Sequence, residues 1–384
     1  VFEFLFWVCA ITVAYVYVGY PLLAAFIALR PKPVNKRTDH QPRVSILIPA
    51  HNEAEVIEAT LRNKLALNYP KDKLEIRVVS DASDDGTDDI IQRLAAESAI
   101  PIHLHRQEPR QGKTAGINTL VEQANGEILA FADANSHWAP DALAELAANF
   151  ADASVGYVTG KMVYTQEDGT LVGDGCSAYM RFENWLREKE TAIGSIVGVD
   201  GGIDAMRKSI YQPLRPDQLP DFVQPMGVVE QGYRVVYEPK ALLKEPALAD
   251  ADSEFAMRVR VTLRALWALR DMAHLMNPMN HGRYAIQLVS HKLLRYLAFI
   301  PLVILVFVSI VLLNDGVIYA LAAIGQLAFY TCAALGHYEP ERTDNASAWI
   351  TVPYYFVLLN LACAKAAIAY WRGDRMVTWT PRKG

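Results

Sequence analysis

Two kinds of apolar pattern alternate along the chain. Long unbroken runs occupy its ends. The first covers about Phe2 to Leu29 with Glu3 as its one charge, and three more follow at Tyr296 to Leu313, Val317 to Leu335 and Thr351 to Tyr370. Each approaches the roughly 20 residues that cross a bilayer. The first run is too long for a signal-peptide core and lacks a convincing cleavage site, so an uncleaved anchor is expected. A buried core helix explains one such run, not three in succession beside a terminal one.

Between them the apolar runs shorten to strand length and alternate with helical periodicity. Strands are expected at Arg43 to Pro49, Glu75 to Asp81, Ile102 to His105 and the stretch ending at Asp133. Helices are expected over Glu53 to Leu67, Asp84 to Ser98, Lys113 to Ala124 and, opened by Pro140, Asp141 to Phe150. Such alternation implies an α/β fold, with a mostly parallel sheet and helices on both faces. Two later stretches, Tyr179 to Ile193 and Val259 to Met276, mix aromatic and aliphatic residues with arginines; the second reads as an interfacial helix, and the first as either an interfacial helix or an ordinary domain helix with its apolar face inward. The expected organisation is a membrane anchor over residues 1–30, an α/β domain over 31–290 and a membrane region of about three spans over 291–384.

Composition narrows the function. Hydrophobic residues make up 52% of the 384 and charged residues 21%, which excludes a disordered chain. A net charge of -5 argues against a nucleic-acid partner, which needs a basic face. Cys9, Cys176, Cys332 and Cys363 lack metal-ligand spacing and read as small core or lipid-facing residues. Arg30, Lys32, Lys36 and Arg37 follow the first run and His291, Lys292 and Arg295 precede the second, so the positive-inside rule puts the central domain in the cytoplasm. Four alternating spans would then leave Arg372, Arg375, Arg382 and Lys383 outside, against the same rule, unless one run is interfacial or re-entrant.

The candidate chemistry lies at strand ends. Asp81 and Asp133 each close an apolar run, and ligands in open α/β sheets bind outside the carboxyl ends of the strands. Four segments occur in order at strand–helix junctions: Pro49-Ala50-His51-Asn52-Glu53, Ser80 through Thr87, Gln111 through Asn118, and Phe131-Ala132-Asp133-Ala134-Asn135. Together they resemble the donor-binding half of family 2 glycosyltransferases, which have the nucleotide-diphospho-sugar (GT-A) fold. The membrane frame is similar to the hyaluronan, chitin and cellulose synthase branch.

This resemblance, which covers most of residues 43 to 290, implies specific roles. Glu53 and Asp81 would contact the base or ribose, Lys113 and Arg260 the diphosphate, and Asp200 the donor sugar. Asp133 would hold a divalent cation, Mg²⁺ or Mn²⁺, that stabilises charge on the leaving diphosphate. The family pattern is Asp-x-Asp; here Asn135 takes the third place and offers an uncharged amide oxygen. Asp221, in Leu219-Pro220-Asp221, would be the catalytic base, although only the final Asp of the family's Thr-Glu-Asp type motif remains. The Gln-x-x-Arg-Trp element of processive synthases is reduced to Met257-Arg258-Val259-Arg260-Val261, which keeps Arg260 alone and sets processivity in doubt.

Each candidate also has a structural reading: a turn for Asp81 and Asp200, a cap for Asp133 and Asp221, a solvated surface cation for Lys113. The expected function is inverting transfer from a nucleotide-sugar donor, a UDP-sugar first, to a lipid-linked or growing glycan acceptor in cell-surface polysaccharide synthesis. The enzyme would be integral to a bacterial inner membrane, with polysaccharide-synthesis proteins as candidate partners. A degraded relative acting as a membrane scaffold is the competing class.

Overall fold

The computed structural model describes residues 1–165, 174–246, 251–338 and 348–375. The chain opens with helices α1 (Phe2–Ala14) and α2 (Tyr20–Ile27), joined through a wider turn at Tyr15–Gly19. It then alternates β1 (Val44–Ala50), α3 (Ile57–Leu65), β2 (Leu74–Asp81), α4 (Thr87–Glu97), β3 (Ile102–Gln107), α5 (Lys113–Gln123) and β4 (Ile128–Phe131). Next come β5 (His137–Trp138), α6 (Ala142–Ala148), β6 (Val155–Thr165), α7 (Asp174–Ile193), β7 (Asp204–Arg207), α8 (Pro220–Glu230) and β8 (Arg234–Pro246). Helices α9 (Ala251–Asp271), α10 (Pro278–Gln287), α11 (Leu294–Tyr296), α12 (Phe299–Val311), α13 (Val317–Tyr338) and α14 (Ala348–Arg372) follow.

Two compact units result. One comprises Arg30–Thr170, Glu190–Ala247 and Arg375–Gly384 and holds the sheet; the other comprises Val1–Leu29, Leu171–Lys189 and Leu248–Asp374 and is helical.

The sheet has eight strands in the order β3-β2-β1-β4-β7-β6-β8-β5. Its first four strands are parallel, as the β-α alternation requires. Beyond them the sheet becomes mixed, because β7 runs antiparallel to both β4 and β6, while β8 returns parallel to β6. Every residue of β1 and β2 is buried, as in strands covered on both faces; in β2 the buried Glu75 and Arg77 pair with each other. Helix α5 approaches β2 closely because Gly116 lacks a side chain; a Cβ there would lie 2.7 Å from Val79 Cγ1. Strand order reverses at β1, with β2 and β3 on one side and β4 on the other, so a crevice opens beyond the carboxyl ends of β1, β2 and β4.

Helix α4 begins at Thr87 rather than Asp84, because Asp84 and Asp85 are spent on the turn before it.

Among the described residues three helices are long and apolar enough to cross a membrane, Phe2–Ile27, Val317–His337 and Ala348–Arg372, or four if the bent pair Pro278–Tyr296 and Phe299–Val311 forms one span. The expected span from Tyr296 to Leu313 takes a different form. Its helix breaks at Leu297–Ala298, and the pieces Pro278–Tyr296 and Phe299–Val311 meet at 57°. At 1.5 Å per residue the 13 residues of α12 rise only about 20 Å, short of a bilayer core. Phe6 of α1 packs on Val308 and Leu312, and its ring meets Tyr319 edge-on at 4.9 Å. Of the tail cations, Arg382 and Lys383 lie outside the described residues.

Candidate functional site

Three charged side chains converge at the crevice. Lys113 opens α5 directly after Gly112, whose φ of +94° turns the chain into the helix. Asp133 lies two residues past the end of β4, and Asp221 sits in the first turn of α8 behind Pro220. The Lys113 ammonium donates to Asp133 Oδ1 at 2.7 Å and lies 3.8 Å from Asp221 Oδ2. Lys113, Phe131, Asp133, Tyr157, Gly202 and Asp221 border one cleft.

The two carboxylates stay open on one side because of paired glycines. Gly201 and Gly202 adopt φ of +78° and +72°, left-handed values that side chains resist. A Cβ at Gly201 would stand 3.0 Å from Asp221 Oδ2, and one at Gly202 would stand 3.3 Å from Asp133 Oδ2. The glycine loop therefore leaves the space beside each carboxylate free for a ligand atom.

Asp81 is 1% exposed and its oxygens are engaged by its own chain. Oδ1 accepts from Gln107 Nε2 at 2.5 Å and Gln111 N at 2.8 Å, and Oδ2 accepts from Gly112 N at 3.1 Å. Arg110 Nε approaches Oδ2 at 3.4 Å. These bonds order the Gln111–Lys113 segment and so aim Lys113.

Beside it, Asn52 and Asp84 bond reciprocally, Asn52 Nδ2 to Asp84 Oδ1 at 2.8 Å and Asp84 N to Asn52 Oδ1 at 3.0 Å. Asp85 accepts from Ala54 N, and Thr87 Oγ1 from Glu53 N. The turn residues thus latch the loops after β1 and β2 together. Asn52 and Ala82 pay in strain, with φ of +54° and +58°.

Acidity gathers at this edge. Burial, then the Asp133 and Asp85 charges, pushes the Glu53 carboxyl up to about 7. Asp204, on β7, is fully buried, and both its oxygens lack a well-formed hydrogen bond although Thr159 and Tyr157 face it. Burial, then the Asp221 charge, pushes the Asp204 carboxyl well above the usual range, with Asp200 adding to the effect. Asp200 is half-buried. Arg260 belongs to the helical unit, on α9.

Asn135 is half-buried in a turn that Ser136 closes by donating from N and Oγ to Asp133 O, at 3.1 and 2.9 Å. Among the described residues no group of three or more His, Cys, Asp or Glu is arranged to hold an ion. A carboxylate with one free side is a donor that a divalent cation can take beside diphosphate oxygens and water. The open space at Asp133 Oδ2 is consistent with that donor set.

Sequence reasoning missed Lys64, Trp138 and Asp204. Asp204 had a weak signal, a lone carboxylate in the otherwise apolar Gly202-Ile203-Asp204-Ala205-Met206. Lys64 and Trp138 had none, because a lysine or tryptophan at a helix end or short strand reads as surface or core.

Comparison with known proteins agrees with this geometry. Residues 45–215 match the family model for glycosyl transferase family 2. A β-monoglucosyldiacylglycerol synthase of Trichormus variabilis is 30% identical over 168 residues, 44% of this chain and 36% of that protein. A poly-β-1,6-N-acetyl-D-glucosamine synthase of Staphylococcus aureus is 27% identical over 220 residues, 56% of this chain and 52% of that protein. The chain thus spans about a third to a half of the length of these curated relatives. A mannosyltransferase from Pyrobaculum calidifontis, solved in complex with GDP-Man and Mn²⁺, shares the fold over 97% of this chain and all of its own, with TM-score 0.75 and 24% identity.

Proposed function

We propose, from the match of residues 45–215 to the family model for glycosyl transferase family 2, an inverting transfer of a sugar from a nucleotide-diphosphate donor to an acceptor hydroxyl at a membrane. The family domain and the named glycosyltransferase relatives support a transferase enzyme. One observation carries the residue assignment: Lys113 stands between Asp133 and Asp221 at the mouth of a single cleft.

In this reading Asp221 takes the proton of the acceptor hydroxyl as its oxygen attacks the anomeric carbon. The bond from that carbon to the β-phosphate oxygen breaks, and the nucleoside diphosphate leaves with the electron pair. Attack from the face opposite the leaving group inverts the centre. Lys113 contributes a fixed cation where the diphosphate gains charge. Asp133 and Asn135 would hold a divalent cation, which supplies Lewis-acid stabilisation of the leaving group when bound. Glu53 and Asp200 belong to the donor contacts, and Asp81 acts on the donor by ordering Gln111–Lys113. Arg260 is assigned to the diphosphate by family resemblance.

The charge balance supports a cationic cofactor. Asp133 and Asp221 both lie against the Lys113 ammonium at this edge, and the Asp133 charge also acts on Glu53 and Lys64. Such an acidic edge would repel a diphosphate without added positive charge. The three long apolar helices support a membrane location, and the glycolipid and polysaccharide synthases among the relatives support a lipid-linked or growing glycan acceptor.

The reading is tested with the full chain reconstituted in lipid, by nucleoside diphosphate release across UDP- and GDP-sugars with Mn²⁺, Mg²⁺ or chelator. Metal-dependent release from one donor is expected. No release from any donor, with lipid extract present, would overturn it in favour of a scaffold.

A further inference from the structure

Lys64 is a lysine with no exposed surface, and its location is unusual for one. It sits in the last turn of α3, and its Nζ donates to Ser136 O at 2.6 Å and to Asn63 Oδ1 at 3.0 Å. Both acceptors are neutral. The ammonium also stands over the Trp138 ring, 4.6 Å from its centre. Burying a charge on neutral partners is costly, and a Leu or Met of similar volume would pack here without that cost. Burial pulls the Lys64 ammonium well below its ordinary range, and the Asp133 charge opposes that pull.

What the lysine holds is the turn that presents Asp133 and Asn135. Ser136 O is the far end of that turn, whose near end accepts from Ser136 N and Oγ. Asn63 grips Trp138, two residues on, through both of its backbone groups. Its Nδ2 donates to Trp138 O at 2.9 Å, and its Oδ1 accepts from Trp138 N at 2.8 Å. Trp138, 2% exposed, then donates from Nε1 to Gly202 O at 2.8 Å. Gly202 is the residue whose missing side chain leaves Asp133 Oδ2 open. An unbroken polar chain therefore runs from α3 through the Asp133 turn to the glycine loop on the other side of the cleft.

We propose that Lys64, with Asn63 and Trp138, is a positioning residue for the donor: it locks the Asp133–Ser136 turn and the Gly202 backbone in the spacing that receives the diphosphate. Lys64 does not touch the cleft and acts through Ser136 and Trp138. This proposal rests on the sugar-transfer reading above. Its signature is a loss of donor binding in a protein that folds as well as the parent. A merely structural lysine would instead move stability and leave donor affinity where it was.

The experiment compares the full chain with Lys64→Met and Trp138→Phe in lipid nanodiscs, measuring thermal stability, UDP and GDP affinity by calorimetry, and donor KM and kcat. Lys64→Met is expected to leave the unfolding temperature close to that of the parent, because removing the buried charge offsets leaving Ser136 O unpaired. It should weaken nucleoside diphosphate binding and raise donor KM about tenfold, as leaving the turn's buried carbonyl unpaired implies. Trp138→Phe keeps the ring under the ammonium and removes only the Nε1 donor, so a smaller rise of about threefold is expected. Affinity and KM within twofold of the parent in Lys64→Met would overturn the proposal, whatever happens to stability. Should Lys64→Met not fold, unchanged donor affinity in Trp138→Phe overturns it. A parent that neither binds nor turns over any donor would fault the sugar-transfer reading instead, so the two failures are distinct.

Discussion

Two clusters of buried charge, one in each unit, are built in opposite ways. In the helical unit, charges are neutralised where they lie. Glu183 accepts from Arg295 Nη1 through one oxygen and faces His291 Nε2 at 3.3 Å through the other. Arg258 Nε donates to Glu254 Oε1 at 2.8 Å, and Tyr355 OH joins the same oxygen at 2.7 Å. Tyr179 lies under both guanidinium groups. In the sheet unit, carboxylates crowd the crevice and the cations there are few. Asp204 has no well-formed partner, and Glu53 is held near neutrality. An ion pair balanced locally holds helices together, whereas carboxyls crowded at a strand end raise one another's proton affinity.

Removing a partner in the helical unit should therefore have the largest effect on stability. Glu183→Leu strands Arg295 and His291 in an apolar setting, and a loss of about 3–5 kcal/mol is expected. Thermal unfolding in detergent would measure it, and an unchanged midpoint would erase the contrast between the units. Gly202→Ala sharpens the other side. Its Cβ would meet Leu243 Cδ2 at 3.1 Å and Asp133 Oδ2 at 3.3 Å at a φ of +72°. A cost of about 1–2 kcal/mol is expected in denaturant unfolding, together with weaker donor binding.

Ala82→Gly should move the opposite way, since Ala82 holds φ of +58°. A gain of about 0.5–1 kcal/mol is expected, the relieved strain less the extra chain entropy of glycine.

A separate test concerns pH. The Glu53 carboxyl is raised in the folded protein, so its contribution to stability is full below its unfolded value of 4.5 and is lost as pH rises through about 7. Relative to the parent, Glu53→Gln should show a flatter stability profile between those values. Identical profiles would mean that Glu53 titrates normally.

Much of this was legible in the sequence, for identifiable reasons. Strands β1, β2 and β4 are short apolar runs, and each βα junction carries turn chemistry, so the parallel half of the sheet and the strand-end aspartates could be read directly. Strands β6, β7 and β8 could not, because their pairing depends on partners far apart in the chain, such as Val158 with Ala205 and Val236. The candidate span at Tyr296 to Leu313 was apolar throughout, and its hydropathy hid the break at Leu297–Ala298. Asp221 was reached by family resemblance. Its contact with Lys113, 108 residues away in sequence (221 − 113), is a tertiary fact. Lys64 was invisible because residue type alone suggested solvent, whereas its surroundings exclude it.

The most direct test of the account is a comparison of the parent with Asp221→Asn in lipid, using the active donor and measuring nucleoside diphosphate release beside donor affinity. The account predicts turnover reduced by about 10²–10⁴-fold, with affinity within about threefold because the substitution removes a proton acceptor and little bulk. Equal turnover in the two proteins would contradict it and return Asp221 to the role of a helix cap.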